Sequence, residues 1–321
     1  MRAAPLFADI AGGPPGGKAV WALAGDGVRL RVGVWPGGGG GTVLLFPGRT
    51  EYVEKYGITA RALAGAGLAT AVIDWRGQGL SERLIGDHAL GHVADFSDYQ
   101  RDVAAMLTVA DEMALPAPRY LLAHSMGGAI GLAALGGGLA VRAVAFSAPM
   151  WGIALPAGLH PVAAVVARLA RLTKLGARAV PGNSGRAPYL LTEPFERNAL
   201  THDREMWQRL VDQLRARPEL ALGAPTLGWL AAALDETARL ARLPSPPVPT
   251  LTLMGSEEAV VETTAIRTRM SAWPQGQVLQ LDGARHEPLM ERAGIRRRAE
   301  AAIIAHFKAH AGAVAPAPAQ G

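Results

Sequence analysis

Arg119-Tyr-Leu-Leu-Ala-His-Ser-Met-Gly-Gly-Ala-Ile-Gly131 is the stretch on which the fold turns. Residues 120–123 form a short apolar run with the length of a buried strand. Ser125 follows at once, and the small apolar residues from Met126 onward open a helix at the serine. A strand, a sharp turn at a serine and a helix form the context in which a hydroxyl is held on a strained elbow as a nucleophile. The usual pattern is G-x-S-x-G. Here it reads Ala123-His124-Ser125-Met126-Gly127, with alanine in place of the first glycine. That position must be small because strand and helix backbones nearly touch there, and alanine is the least intrusive substitute. The competing reading is a plain strand–helix turn in which Ser125 only caps the helix N-terminus.

On either side of this stretch, strands and helices alternate. Residues 28–35 alternate apolar and polar, as a half-buried strand does. Residues 42–46 read as a buried strand ending in Pro47-Gly48-Arg49, 54–67 as a helix stopped by Gly65 and Gly67, and 69–73 as a second buried strand. A helix is expected over 96–113, and another strand over 141–147 after the elbow helix. This spacing implies βαβ crossovers and a mostly parallel sheet covered on both faces. The rhythm breaks at 151–247, where helical stretches, prolines and aromatic residues hold no obvious buried strand. It returns with a strand at 249–254, a helix at 262–272, a strand at 277–281 and a helix at 294–310. The expected organisation is an α/β core from 1–150 and 248–311, an inserted helical cap over 151–247 and a disordered Ala/Pro/Gly tail over 312–321. Residues 1–20 are Gly/Pro-rich and read as loosely held.

Composition narrows the function. The chain has 321 residues, half of them hydrophobic, which is ample for a large core. It has no cysteine, so disulfides and thiolate metal sites are excluded and a reducing compartment is compatible. Residues 1–17 lack the apolar core of a signal peptide, and no run reaches the ~18 apolar residues that span a membrane. The formal charge of +5 is modest and carries no basic run interleaved with aromatics, so nucleic acid is not an expected partner. The expected location is the cytoplasm, with peripheral contact at a membrane surface as the alternative.

A serine hydroxyl needs a base to take its proton, and the base needs an acid to orient it. In this topology the order is Ser, acid, His, with the last two on loops at strand ends. Among the downstream histidines, His160 and His202 lie in the insertion, and His306 and His310 on the terminal helix. Only His286 follows a late strand, so it is the candidate base. The acid belongs after the strand ending at Met254, where Glu257 and Glu258 compete. Neighbours in an extended loop point apart, so only one can face the histidine; Glu258 is preferred, with Glu257 next. Asp282 is read as a local loop cap. One donor to the developing oxyanion is the backbone N–H of Met126, and the other comes from the loop after Phe46.

The motifs Phe46-Pro-Gly-Arg-Thr-Glu-Tyr-Val-Glu-Lys-Tyr56, Asp74-Trp-Arg-Gly-Gln-Gly79, Gly91-His-Val-Ala-Asp-Phe-Ser-Asp-Tyr99, Leu122-Ala-His-Ser-Met-Gly-Gly128 and Gly283-Ala-Arg-His286 together resemble the lysophospholipase L2 family of α/β-hydrolases. That family is similar to monoacylglycerol lipases, and the resemblance covers roughly residues 28–311. It implies an α/β-hydrolase fold, Ser125 as nucleophile, His286 as base and Glu258 at the acid position, where many relatives carry Asp. Matching Pro47-Gly48-Arg49 to the His-Gly-x of the wider family makes the Arg49 N–H the second oxyanion donor. It also implies ester hydrolysis on a single-chain lipid, a lysophospholipid or monoacylglycerol, with no metal or organic cofactor. The alternatives are an esterase for small soluble esters, an acyltransferase using the same acyl-enzyme, and a binding protein on a hydrolase scaffold.

Other conspicuous residues read as scaffold. His124 is expected to point away from the nucleophile and to be packed and hydrogen-bonded. Two readings stand for the Arg49 side chain, contact with an anionic head group or an ion pair with Glu51, and the ion pair is preferred. Asp74, Arg76, Gly77 and Gly79 read as a structural turn, His88 and His92 lack the spacing of a metal pair, and Gly136-Gly-Gly138 lacks the Lys-Ser/Thr of a phosphate loop. The insertion carries twelve Lys/Arg against eight Asp/Glu, a net of +4 where the whole chain has +5. Within it, Val162, Val165, Val166, Leu169 and Leu172 recur at helical spacing beside Arg168, Arg171, Lys174 and Arg178. Such a helix either packs its apolar face over the active site or rests on an anionic membrane surface.

Overall fold

The computed structural model describes residues 1–154, 165, 169–170, 174–181 and 185–312. In chain order the larger elements are β1 (Arg2–Ala4), β2 (Lys18–Leu23), β3 (Arg29–Trp35), β4 (Thr42–Phe46), α1 (Gly57–Gly65), β5 (Ala69–Asp74), α2 (Asp98–Glu112), β6 (Arg119–His124), α3 (Met126–Gly136) and β7 (Val144–Ser147). They continue with α4 (Arg204–Ala216), α5 (Leu227–Ala241), β8 (Thr250–Gly255), α6 (Thr263–Ser271), β9 (Gly276–Leu281) and α7 (Ala293–Ala309). The strands form one nine-stranded sheet in the order β1-β2-β3-β5-β4-β6-β7-β8-β9. Pairing is antiparallel from β1 to β5 by way of β2 and β3, and parallel from β5 onward.

The two faces follow from the period of the strands. On β4, Val43 and Leu45 face one way, and Leu44 and Phe46 the other, so each face receives its own core. One core gathers Val43, Leu45, Tyr120, Leu122 and Leu253 beneath α1 and α7, with Phe307 stacked on Tyr120 at 4.8 Å. The larger one sets Leu44, Phe46, Leu121, Ala123 and Phe146 against α2, α3, α5 and α6. Each buried Leu, Val or Phe contributes about 1.5–3 kcal/mol by leaving water. The sheet is covered on both faces, as the unbroken apolar runs of β4, β5, β6 and β7 require.

The amino-terminal segment departs from the sequence expectation. Residues 1–20 are not loose: β1 and β2 extend the sheet, and the backbone N–H of Phe7 donates to Glu54 at 3.1 Å. The flanking glycines mask the segment because they serve close packing: a Cβ on Gly13 or Gly17 would sit 2.3 or 2.4 Å from the Trp35 indole nitrogen. The strand expected over 141–147 begins only at Val144. Among the described residues between β7 and β8, no strand joins the sheet. Of the two long helices there, α5 places Trp229, Ala232, Ala233 and Leu240 in the larger core. The tail beyond residue 312 and most of the amphipathic stretch over 161–178 lie outside the described residues. Within that stretch Val165 and Leu169 are 55% and 58% exposed. No described helix is long and apolar enough to cross a membrane.

Candidate active site

Ser125 occupies φ 50°, ψ −119°, a region that costs a non-glycine residue about 1–3 kcal/mol. The surroundings hold it there. Its N–H donates to the Ser147 carbonyl at 3.1 Å, and its own carbonyl accepts from Gly128 and Met150, both at 2.8 Å. The start of α3 lies against the loop after β4, and a Cβ on Gly127 would fall 2.1 Å from the Phe46 carbonyl oxygen. Ala123 fits at the first elbow position because α3 presents Gly131 to it. The Ser125 side chain makes no capping bond to the helix. Its Oγ stands 3.0 Å from His286 Nε2 instead.

The loops after β8 and β9 bring the other two groups in. They pack closely, with Ser256 N–H donating to Leu281 at 3.0 Å and Glu257 N–H to Ala284 at 2.9 Å. His286 Nδ1 is 2.8 Å from Glu258 Oε2, and the other Glu258 oxygen accepts from the amides of Val260 at 2.7 Å and Val261 at 3.1 Å. Burial works to raise the Glu258 carboxyl, but these hydrogen bonds outweigh it and hold the group below the usual carboxylate range. Glu257 turns outward and meets His202 Nε2 at 2.8 Å. Asp282 accepts from Gln280 at 3.2 Å. Glu258 is thus the carboxylate that faces His286, and Glu257 and Asp282 face elsewhere.

The amides of Arg49 and Met126 donate to no group among the described residues. Both emerge at the same sheet edge, because β4 and β6 are neighbours with Phe46 opposite Ala123. Side chains from the Asp74–Gly79 loop fix the Pro47–Arg49 segment: Trp75 Nε1 donates to the Pro47 carbonyl and Gln78 Nε2 to that of Gly48, both at 2.9 Å. Asp74 itself is structural, accepting from Arg31 and Leu80 at 2.7 Å and from Val53 at 2.8 Å. Arg76 meets Asp102 at 2.7 Å. His92 meets Thr226 at 2.8 Å.

Behind His286 lies a buried cluster that sequence reasoning missed. Lys55 Nζ bridges Glu51 at 2.5 Å and Glu287 at 2.6 Å. Tyr56 also donates to Glu51 at 2.5 Å, and the Gly48 amide donates to the same carboxylate. His124 is packed and hydrogen-bonded as expected, with Nδ1 2.9 Å from the Ser147 carbonyl, but it is not remote: its ring centre lies 4.9 Å from that of His286. Its Nε2 stands 3.4 Å from an oxygen of each of Glu51 and Glu287, near enough for charge attraction without hydrogen-bond alignment. Burial alone would lower the His124 pKa, yet the two carboxylates raise it. Burial opposes the Lys55 ammonium as well, and the same pair keeps it charged. The carboxylates and His124 have the reach to share a metal ion, but the Lys55 ammonium already occupies the position between the acids. The available signal was a set of charged residues beside Tyr52, Val53 and Tyr56, and a Glu directly after His286.

Arg49 does not pair with Glu51, contrary to expectation. Glu51 is taken by Lys55, and Arg49 instead donates to the Gly223 carbonyl at 2.6 Å. Ser125, His286 and Arg49 line a cavity of about 590 Å³ whose walls include Tyr52, Met150, Ile153, Leu214, Leu222 and Trp229. A hydroxyl, an imidazole and a carboxylate in series at such a cavity can carry out acyl transfer.

A family model described as "Serine aminopeptidase, S33" matches residues 40–293. Lysophospholipase L2 of Escherichia coli (strain K12) is 35% identical over 287 residues, covering 84% of this chain and 80% of that protein. A probable lysophospholipase L2 of Haemophilus influenzae is 28% identical over 260 residues, covering 79% of this chain and 80% of that one. In fold, the chain is similar to a soluble variant of monoglyceride lipase from Saccharomyces cerevisiae, solved with a substrate analog. The TM-score is 0.70 at 18% identity, over 90% of this chain and 94% of that one. The extent of the family match and the identity to the Escherichia coli protein establish that the chain belongs to the serine aminopeptidase S33 family of α/β-hydrolases, among its lysophospholipase L2- and monoacylglycerol lipase-like members.

Proposed function

We propose that this ester hydrolase releases the acyl chain of a single-chain lipid, a lysophospholipid or monoacylglycerol, through an acyl-enzyme on Ser125. The observation that carries the reading is the hydrogen-bonded series from Ser125 through His286 to Glu258, opening into an apolar cavity. His286 Nε2 accepts the Ser125 proton as Oγ attacks the ester carbonyl. The amides of Met126 and Arg49 hold the oxyanion, and Glu258 steadies the imidazolium through Nδ1. His286 protonates the departing alcohol, then activates the water that frees the fatty acid and restores Ser125.

The peptidase wording of the family description fits the cavity less well. An aminopeptidase needs an unpaired carboxylate for the substrate's ammonium. The lining carboxylates Glu51 and Glu287 share Lys55, and Glu193 pairs with Arg197 at 3.2 Å. Residues 151–247 form the cap in this reading, and Ile153, Leu214, Leu222 and Trp229 are among the residues it contributes to the acyl-chain wall. The net positive charge of this segment supports contact with an anionic membrane surface, from which single-chain lipid is drawn. The direct test is to supply lysophospholipid alone and identify the products. Free fatty acid and the deacylated headgroup alcohol are expected, whereas a diacyl product would make the chain a transferase and no turnover would remove the lipid reading.

A further inference from the structure

Five charged side chains line the cavity beside His286: Arg49, Glu51, Lys55, Glu193 and Glu287. Four of them are compensated. Glu51 and Glu287 share the Lys55 ammonium, and His124 Nε2 stands 3.4 Å from an oxygen of each. Glu193 has Arg197. The Glu258 carboxylate is directed to His286 and to the amides of Val260 and Val261.

Arg49 remains without a counter-charge. Among the described residues no carboxylate lies within ion-pair reach, and its Nε is shielded from water without a hydrogen-bond partner. Its guanidinium sits 5.3 Å from the centre of the Trp229 ring and, among the described residues, donates only to the Gly223 carbonyl. Burial lowers its pKa to about 10, which still leaves it cationic at neutral pH. An uncompensated cation with an unmet donor is costly unless the site is completed by an anion. Gly91 packs against one side of it: a Cβ there would come within 2.8 Å of one Arg49 terminal nitrogen and 3.3 Å of Nε. The backbone of the same residue offers the candidate oxyanion amide, and its side chain lines the cavity onto which Ser125 opens. A guanidinium matches phosphate oxygens by geometry as well as by charge.

We propose that Arg49 forms a headgroup subsite whose guanidinium binds the phosphodiester of a lysophospholipid while its ester carbonyl lies at Ser125. This rests on the ester-hydrolase reading above and deepens it, naming the phosphate-bearing lipid as the preferred substrate over the neutral monoacylglycerol. The phosphodiester supplies the missing counter-charge.

The test compares kcat/KM for a lysophosphatidylcholine and a monoacylglycerol of the same acyl chain, both kept below micelle formation. Both reactions use the Arg49 backbone, so the informative quantity is their ratio. In Arg49→Gln the ratio is expected to fall by roughly tenfold or more toward the neutral lipid, with Arg49→Lys intermediate. An unchanged ratio overturns the subsite and leaves ester hydrolysis standing, whereas a wild-type chain that hydrolyses neither lipid overturns both. Should Arg49→Gln fail to fold, inhibition of the wild type by two uncleavable ethers decides. The 1-O-alkyl lysophospholipid is expected to bind roughly tenfold tighter than the matching 1-O-alkylglycerol, and equal binding overturns the proposal. Free fatty acid of the same length competing as well as the phospholipid ether would assign Arg49 to the product carboxylate and equally overturn it.

Discussion

At the scale of single residues, the site depends on which of two adjacent glutamates faces the imidazole. Glu258 lies 2.8 Å from His286 Nδ1, while Glu257 is spent on His202. Glu258→Gln is therefore expected to lower kcat roughly 10³-fold or more, because the amide no longer steadies the imidazolium or fixes its tautomer. Glu257→Gln is expected to remain within a few-fold of wild type, and steady-state kinetics on one soluble ester separates the two. A reversed order would assign the acid to Glu257. His124 supplies a second residue-scale prediction. Its pKa is raised above 6.5 in the folded chain, so the folded state holds the proton more tightly than the unfolded one. That contribution is fully present below pH 6.5 and fades as pH rises through the folded value. The gap in melting temperature between wild type and His124→Asn is thus expected to be widest on the acid side and to narrow on the alkaline side. A gap that widens with rising pH would contradict the placement of Glu51 and Glu287 beside the ring.

At the scale of elements, the elbow works because β4 and α3 come within backbone contact. Gly127→Ala would set its Cβ 2.1 Å from the Phe46 carbonyl oxygen, which cannot swing aside as a side chain could. It is expected to cost roughly 3 kcal/mol and to displace the oxyanion loop. Gly136→Ala, at the open end of the same helix with nothing within 4 Å, is expected to be neutral or slightly stabilising. Denaturant unfolding of the pair measures the contrast, and equal stabilities would contradict the close approach. The elements that set this geometry were legible in sequence for a physical reason. Strands buried on both faces are unbroken apolar runs, as in β4 through β7, and the helices between them carry stop signals. Ser125 and His286 could be located because chain order and strand ends limit where such groups can stand. Polar networks leave no period. Lys55 reaches Glu287 across 232 residues, and neither end marks the other. The preferred reading pairs Arg49 with Glu51, but Lys55 is one helical turn from Glu51 and meets it directly. β1 and β2 were missed because glycines read as looseness when they serve close packing against Trp35.

At the scale of the whole molecule, charge and cavity point the same way. Residues 151–247 carry a net +4 of the chain's +5, and Val165 and Leu169 within them are exposed. The chain is expected to bind anionic vesicles at low salt, to release them as salt screens the charges, and to bind less well when Arg168, Arg171 and Lys174 are neutralised. Vesicle sedimentation checks this, and no binding at low salt would remove the membrane contact while leaving the chemistry intact. The chemistry has a more direct test. During turnover of a slowly deacylated ester, intact-mass analysis is expected to show the chain heavier by one acyl group, with peptide mapping placing that group on Ser125. Ser125→Ala is expected to stay folded, to lack the adduct and to lose roughly 10⁴ or more in kcat. An adduct at another residue, or a Ser125→Ala variant turning over near the wild-type rate, would contradict the claim that Ser125, His286 and Glu258 form the catalytic centre.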